Sequence, residues 1–334
     1  MSGIAFDTPI LVRPFKEEVL SMLIFLLRRL GGAVVLVFVI ATSTFLLMSL
    51  SGGDPARNIL GEGATSAQVA AKATELGLDQ SIPERYLDWL GSAVRGDFGT
   101  SWFTNEPVMS SLANKFPVSL SIVVVAIIVT AALSTVLGVT AAVKRGWIDR
   151  FVQMFAILGF ALPNFWVALV LVTVFAVNLK LFPATGFVPI TTDPWRWLVG
   201  LVLPVTALVI GTVASTAQQV RGATIDVLRQ DYVRTLRSRG ISHASLLFRH
   251  VLRNAAPPAL TVLSLQFVGL LGGAIIIEKV FALPGIGSLA VNATLQGDLP
   301  QILGLVVVMV VLVVIVNLLI DLATGWLNPK ARVS

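Results

Sequence analysis

Six stretches of this chain run for at least 22 residues without a charged side chain: 30–53, 116–143, 151–179, 197–220, 254–277 and 299–320. A bilayer core of about 30 Å needs about 20 apolar residues wound as a helix. Lipid offers no partner to backbone N–H and C=O groups, so runs of this kind must satisfy their hydrogen bonds internally. The expected fold class is an all-α integral membrane protein with six transmembrane helices. Composition agrees. Charged residues make up 13% and hydrophobic ones 56%, against roughly 25% charged in a soluble domain. A seventh charge-free stretch, 280–297, contains Pro284, Gly285, Gly287, Asn292 and Gln296. It reads as a re-entrant or interfacial connection.

Basic residues near span ends favour the cytoplasmic side. With six spans both termini share a side. That side carries Arg13, Lys16, Arg28 and Arg29, the 144–150 loop with Lys144, Arg145 and Arg150, seven arginines in 221–253, and Lys330 and Arg332. These are sixteen of the 24 basic residues. A plasma-membrane protein with both termini cytoplasmic follows. The 54–115 segment, with five basic and eight acidic residues, then faces outward. The net charge of +6 reflects this topology and contact with membrane lipid, not nucleic-acid binding.

The first span does not read as a cleaved signal peptide, because its apolar run is too long and 29 residues precede it. Residues 1–21 are an extension or an interfacial helix. A start at Met22 would place Arg28 and Arg29 directly before the span. After span one, GGDPARNILGEG is turn-rich. Ser66–Gly77 reads as a helix capped by Ser66 and stopped by Gly77. Pro83–Val94 reads as another, with Tyr86, Leu87, Leu90 and Val94 on one face.

Motifs for chemistry are missing. The sequence has no G-x-x-x-x-G-K-[ST], H-E-x-x-H or G-x-S-x-G, and no cysteine. His243 and His250 have no acidic neighbour suited to a metal site and read as solvated or interface residues. Polar groups within the spans include Asn164, Gln266, Asn317 and Asp321. They line a pathway or join helices, since lipid-facing placement is costly. Gly138, Gly159, Gly211, Gly269, Gly272 and Gly273 suit close helix contact.

The largest charged interruption in the second half is QDYVRTLRSRGISHASLLFRHVLRNAA, residues 230–256. Ala223–Arg239 can form one helix, Gly240 breaks it, and Ser242 can cap a second short helix through Val251. A loop that only set topology would not need two helices at a fixed angle. This organisation favours a docking element.

DYVRTLRSRG followed by RHVLRNA resembles the cytoplasmic "EAA" loop of ABC importer permeases, in the peptide/nickel branch and its first-permease subunit. SGGDPARNILG resembles that branch's P-G-D-P-A turn. LGLDQSIPERYLDWLGSAVRGDFGTSW resembles its outer-region signature. FALPGIGSL, residues 281–289, resembles its F-x-x-P-G-[IL]-G segment. The resemblance covers about residues 22–328. Two departures stand out: Leu236 replaces a small alanine, and Gly52 replaces a proline.

The resemblance implies a type I ABC importer permease fold. It divides the chain into a cytoplasmic segment 1–29, a span 30–50, an extracytoplasmic insertion 51–116, a permease core 117–324 with a coupling loop 218–256, and a tail 325–334. Implied partners are a second homologous permease subunit, two cytoplasmic ABC ATPases and an extracytoplasmic substrate-binding protein. ATP and Mg would sit on the ATPases, so this chain would hold no cofactor and would not itself be an enzyme. The implied coupling residues are Asp231, Tyr232, Arg234, Thr235, Leu236, Arg237, Arg239, Gly240, Ser242, His243, Leu247 and His250. Glu278, Phe281, Pro284, Gly285 and Gly287 are a candidate outer gate; Asn164, Gln266 and Asn317 are candidate pathway residues. Peptide is the expected cargo, with a nickel chelate or a glycoside as alternatives within the branch. A self-sufficient secondary transporter or channel is the rival of another class. The spans hold no chain of charges for an ion relay, and no inverted repeat is evident.

Overall fold

The structure, a computed structural model, describes residues 15–327. Arg13, Lys330 and Arg332 of the charge count, and most of the 325–334 tail, lie outside the described residues. Helix α1 (Phe15–Leu50) starts well before the span expected at 30–50 and absorbs residues 15–29 of the N-terminal segment. Its membrane-length apolar part begins at Leu27.

Three short helices fill the 51–116 region. Asp54 accepts from Arg57 N–H and Pro55 occupies the first turn, so the expected turn holds α2 (Pro55–Leu60). In α3 (Ser66–Glu75) the cap is Thr65, not Ser66, because Thr65 and Gln68 exchange side-chain-to-backbone bonds. Helix α4 (Ile82–Ala93) starts with the same device, Ser81 with Glu84. The Ser81 hydroxyl and backbone N–H hold the Glu84 carboxyl below its ordinary range.

The inward face of α4 also differs from expectation. Leu87 and Val94 are 64% and 82% exposed. Tyr86 does turn inward as expected, but Ile82 and Trp89 join it there, against Phe45 of α1 with Leu299 and Leu303. Tyr86 meets Phe45 edge-on at 5.2 Å. The aromatic rings offer more apolar area than the aliphatic side chains, and they decide which face turns inward.

The bundle consists of α1, α5 (Val108–Lys144), α6 (Gly146–Ala161), α7 (Asn164–Leu171), α8 (Pro194–Leu228), α11 (Leu252–Val280) and α13 (Leu299–Leu327). Helix α8 lies at its centre and packs against α5, α6, α7 and α11. Ile122, Ala126, Ala207, Leu208, Phe267 and Ile277 are buried in the shared core. Between the spans, α9 (Asp231–Ser238) and α10 (His243–Ser245) follow α8, and α12 (Ile286–Gln296) lies inside the seventh charge-free stretch.

The third expected span, 151–179, is not one helix. Helices α6 and α7 meet at 96°. A proline pushes the preceding residue out of the α region, and Leu162 before Pro163 is extended, with ψ 122°. Helix α7 then runs on as a π-helical segment, Val172–Asn178. Among the described residues five helices are individually long and apolar enough to cross a bilayer, and the bent pair makes a sixth.

Candidate functional site

At one end of the bundle the loop after α8 forms a small folded unit. Helix α8 carries Ala223 as far as Leu228, and the chain breaks at Gln230, where ψ is 147°. The single helix expected over 223–239 is therefore two. Helix α9 ends in a closed C-terminal motif. Gly240 N–H bonds Arg237 O at 3.0 Å and Ile241 N–H bonds Leu236 O at 3.3 Å. This pattern needs a left-handed residue, and Gly240 supplies it with φ +77°.

Ser242 then caps α10 through Ser245 N–H. The helix it starts does not stop at Val251. It passes through a π-helical turn, Leu246–Val251, directly into α11. Val251 keeps helical angles, φ −74° and ψ −54°, and nothing in the sequence ends the helix there. His243–Val280 is one helical rod of 38 residues.

Helix α9 is fixed to that rod by a private core. Val233, Leu246, Val251 and Ala255 are buried together with Val227 of α8. Tyr232, Leu236 and Leu247 pack around them, so the larger side chain of Leu236 is accommodated at the rim. Asn254 donates to the Tyr232 hydroxyl at 3.0 Å. The opposite face is open: Asp231, Arg234, Thr235, Arg237, Arg239, Gly240, Ser242 and His243 are exposed, and His250 is half-buried. Arg234 reaches Asp231 at 3.4 Å with both side chains in solvent, a pair of small energetic weight. Sequence reasoning left out Phe248, which is 70% exposed beside these residues, and Val233, Val251 and Asn254, which hold α9 in place.

A second cluster lies where α11 meets α12. Glu278 is only 1% exposed. One of its oxygens accepts from Ser119 of α5 at 2.5 Å, and the other accepts from Gly287 N–H at 2.7 Å and Ser288 N–H at 3.4 Å. Ser119 in turn accepts from Ile286 N–H at 2.8 Å. The first turn of α12 is thus capped from two other helices, since Gly285 provides no cap of its own.

This explains the two glycines. A Cβ on Gly285 would overlap the Glu278 carboxylate, and one on Gly287 would lie 2.5 Å from the Ile275 backbone. Phe281 is buried in the main core, whereas Pro284 is exposed on the turn. Ser119, which sequence reasoning missed, lies 159 positions from its partner.

The GDFGTSW stretch docks on the start of α13. Asp298, 2% exposed, accepts from the Ser101 hydroxyl and from Trp102 N–H at 3.2 Å. Asn58 of α2 donates to Gln296 O at 3.0 Å.

The three candidate pathway residues have different partners. Gln266 donates to Ser215, joining α11 to α8 at 2.9 Å. Ser264 donates to Asn317, joining α11 to α13. Asn164 lies beside Gly211 and Gly273. Asp321 pairs with Arg29 across α13 and α1. Two glutamines that sequence reasoning passed over, Gln218 and Gln219, line an open cavity of about 690 Å³ with Ser215 and Phe160.

Residues 134–333 match the family described as binding-protein-dependent transport system inner membrane component, and 22–123 match its N-terminal family. A putative peptide transport system permease protein of Brucella abortus is 38% identical over 92% of this chain and 98% of its own length. The di/tripeptide transport system permease protein of Pseudomonas aeruginosa is 36% identical, covering 93% and 99%. The glutathione transport system permease protein of Escherichia coli is 33% identical, covering 93% and 99%. Among solved structures, the MetNI methionine ABC transporter matches in fold with a TM-score of 0.53 at 16% identity, over 66% of this chain and 97% of that one.

Proposed function

This chain belongs to the binding-protein-dependent transport system inner membrane components, and we propose that it forms half of the translocation pathway of an ATP-driven peptide importer. The observation that carries the mechanism is the α9 unit. It has a buried anchor and an exposed basic face, and only the short turn Arg239–Ser242 separates it from a helix that runs on into a transmembrane span. Peptide as cargo rests on relatives of near-equal length whose names state peptide, di/tripeptide or glutathione transport.

In this reading both termini and the α9 unit are cytoplasmic. Two ATPase subunits, holding ATP and Mg, dock on α9 and bring the hydrolytic activity that this chain lacks. Arg234, Arg237 and Arg239 meet acidic ATPase surfaces, and Phe248 enters an apolar pocket there, as exposed aromatic anchors do at interfaces. A second, homologous permease completes the pathway. An extracytoplasmic binding protein delivers the cargo to the α2–α4 side. Closure of the ATPases moves α9 as a lever on α11. The turn at Phe281–Gly287 belongs to the outer gate. Gln218 and Gln219, which carry both donors and acceptors, are placed to meet peptide groups in the inner half of the pathway.

The test is purification in mild detergent, identification of co-purifying chains, and reconstitution with trialanine as probe. The expected result is a complex with a second permease and ATPases, and uptake that needs ATP and the binding protein. Recovery of this chain alone, with uptake driven by an ion gradient without ATP, would return the secondary-transporter reading.

A further inference from the structure

We propose that Glu278 is a positioning residue that fastens α12 to α11, so that the rod from Ser242 to Val280 and the gate helix beyond it move as one body. This rests on the importer reading above and adds a specific mechanical connection to it.

Three observations carry the proposal. First, the α9 unit and Glu278 lie at opposite ends of one continuous helix of 38 residues, a length of roughly 57 Å at 1.5 Å per residue. Displacement of the docking unit, which packs on the first turns of this helix, is therefore passed along the helix to its far end.

Second, the turn that follows α11 is bonded as a fixed joint. Leu283 N–H bonds Glu278 O at 2.8 Å. The Glu278 carboxylate takes the N–H groups of Gly287 and Ser288, which are the opening donors of α12. Such donors otherwise need water or a local cap, and here a neighbouring transmembrane helix supplies the acceptor.

Third, a tie farther along α12 acts in the same sense. Lys279 Nζ lies 3.2 Å from Asn292 Oδ1, nearly two helical turns past the start of α12. Helix α12 is thus held to α11 at two places, and the absence of side chains at Gly285 and Gly287 lets the joint close on Glu278. A turn rich in glycine looks like a hinge in sequence. In the fold, the space those glycines leave is filled by the carboxylate and by the α11 backbone.

The joint also touches α5 through Ser119. Loss of Glu278 would leave the N–H groups of Gly287 and Ser288 without their acceptor, and α12 would no longer follow α11.

The chain has no cysteine, which permits a direct test in the assembled transporter, with partner subunits carrying no accessible thiol. Lys279→Cys and Asn292→Cys introduce two exposed positions that a short bis-methanethiosulfonate can bridge, each thiolate displacing a methanesulfinate to form a disulfide that a reductant reverses. Uptake of trialanine and binding-protein-stimulated ATP hydrolysis are then measured together. Bridging should leave both unchanged, because the two helices already move together. Glu278→Ala should lower uptake about tenfold while ATP hydrolysis continues, because the opening N–H groups of α12 lose their acceptor. Bridging the cysteine pair in the Glu278→Ala chain should restore uptake.

Bridging that stops uptake in the otherwise natural chain, with recovery on reduction, would show that α12 swings against α11 and would overturn the proposal. Failure of the bridge to rescue Glu278→Ala would overturn it as well. Should Glu278→Ala fail to assemble, the bridge in the otherwise natural chain still decides. A complex with no ATP-dependent uptake before any substitution would instead remove the importer reading itself.

Discussion

Gly240 sits at φ +77° with open space around it, so backbone conformation, not crowding, selects glycine there. A proline ring is locked near −65° and has no N–H to give Arg237 O. Gly240→Pro should therefore break the turn between α9 and α10 and lower ATP-coupled uptake about tenfold or more. Gly240→Ala, which costs about 1–2 kcal/mol in the left-handed region, should fall between the two. Uptake and ATPase activity of the reconstituted complex check both. Normal coupling in the proline variant would remove the α9 turn from the mechanism. Gly285 and Gly287 are a different case, since their side-chain space is already occupied by Glu278 and Ile275.

Elements show where local sequence rules held and where neighbours overrode them. The caps at Ser81 and Ser242 follow from local chemistry, whereas the inward face of α4 was set by the aromatic cluster on Phe45. The break between α6 and α7 follows from Pro163 once the chain is known to turn there. Prolines 117, 204, 257 and 258, however, lie inside helices that continue. Sequence alone does not separate these cases, because a bundle can re-satisfy the freed backbone groups.

Near the same end as α9, Asp149 of α6 holds Arg221 of α8 through both carboxylate oxygens, with Gln153 donating to it at 3.1 Å. Asp149→Asn should cost about 2 kcal/mol, read as a lower melting temperature in detergent. Asp149→Arg combined with Arg221→Asp should regain most of that loss. No recovery in the exchange would mean that the residues act separately.

For the molecule as a whole, orientation is the property that charge distribution predicts most directly. Single cysteines at Ser238 and Glu75, both exposed, should be labelled by an impermeant reagent from opposite sides of the membrane, Ser238 from the cytoplasm. Labelling of both from one side would contradict the six-span topology, and reversed sidedness would contradict the charge rule.

The sequence by itself determined the all-helical membrane class, the positions of the apolar runs, the existence of a basic helical unit between two spans, and the family. These follow from local quantities: charge-free length, charge sidedness and short motifs. Only the tertiary structure decided that Gln266 and Asn317 join helices, that the unit after Gly240 is continuous with α11, and that Glu278 caps α12. The first and the last depend on partners brought together from afar, Ser215 with Gln266 and Ser119 with Glu278 among them. A buried polar group must find a partner, but which one it finds is set by how the helices pack.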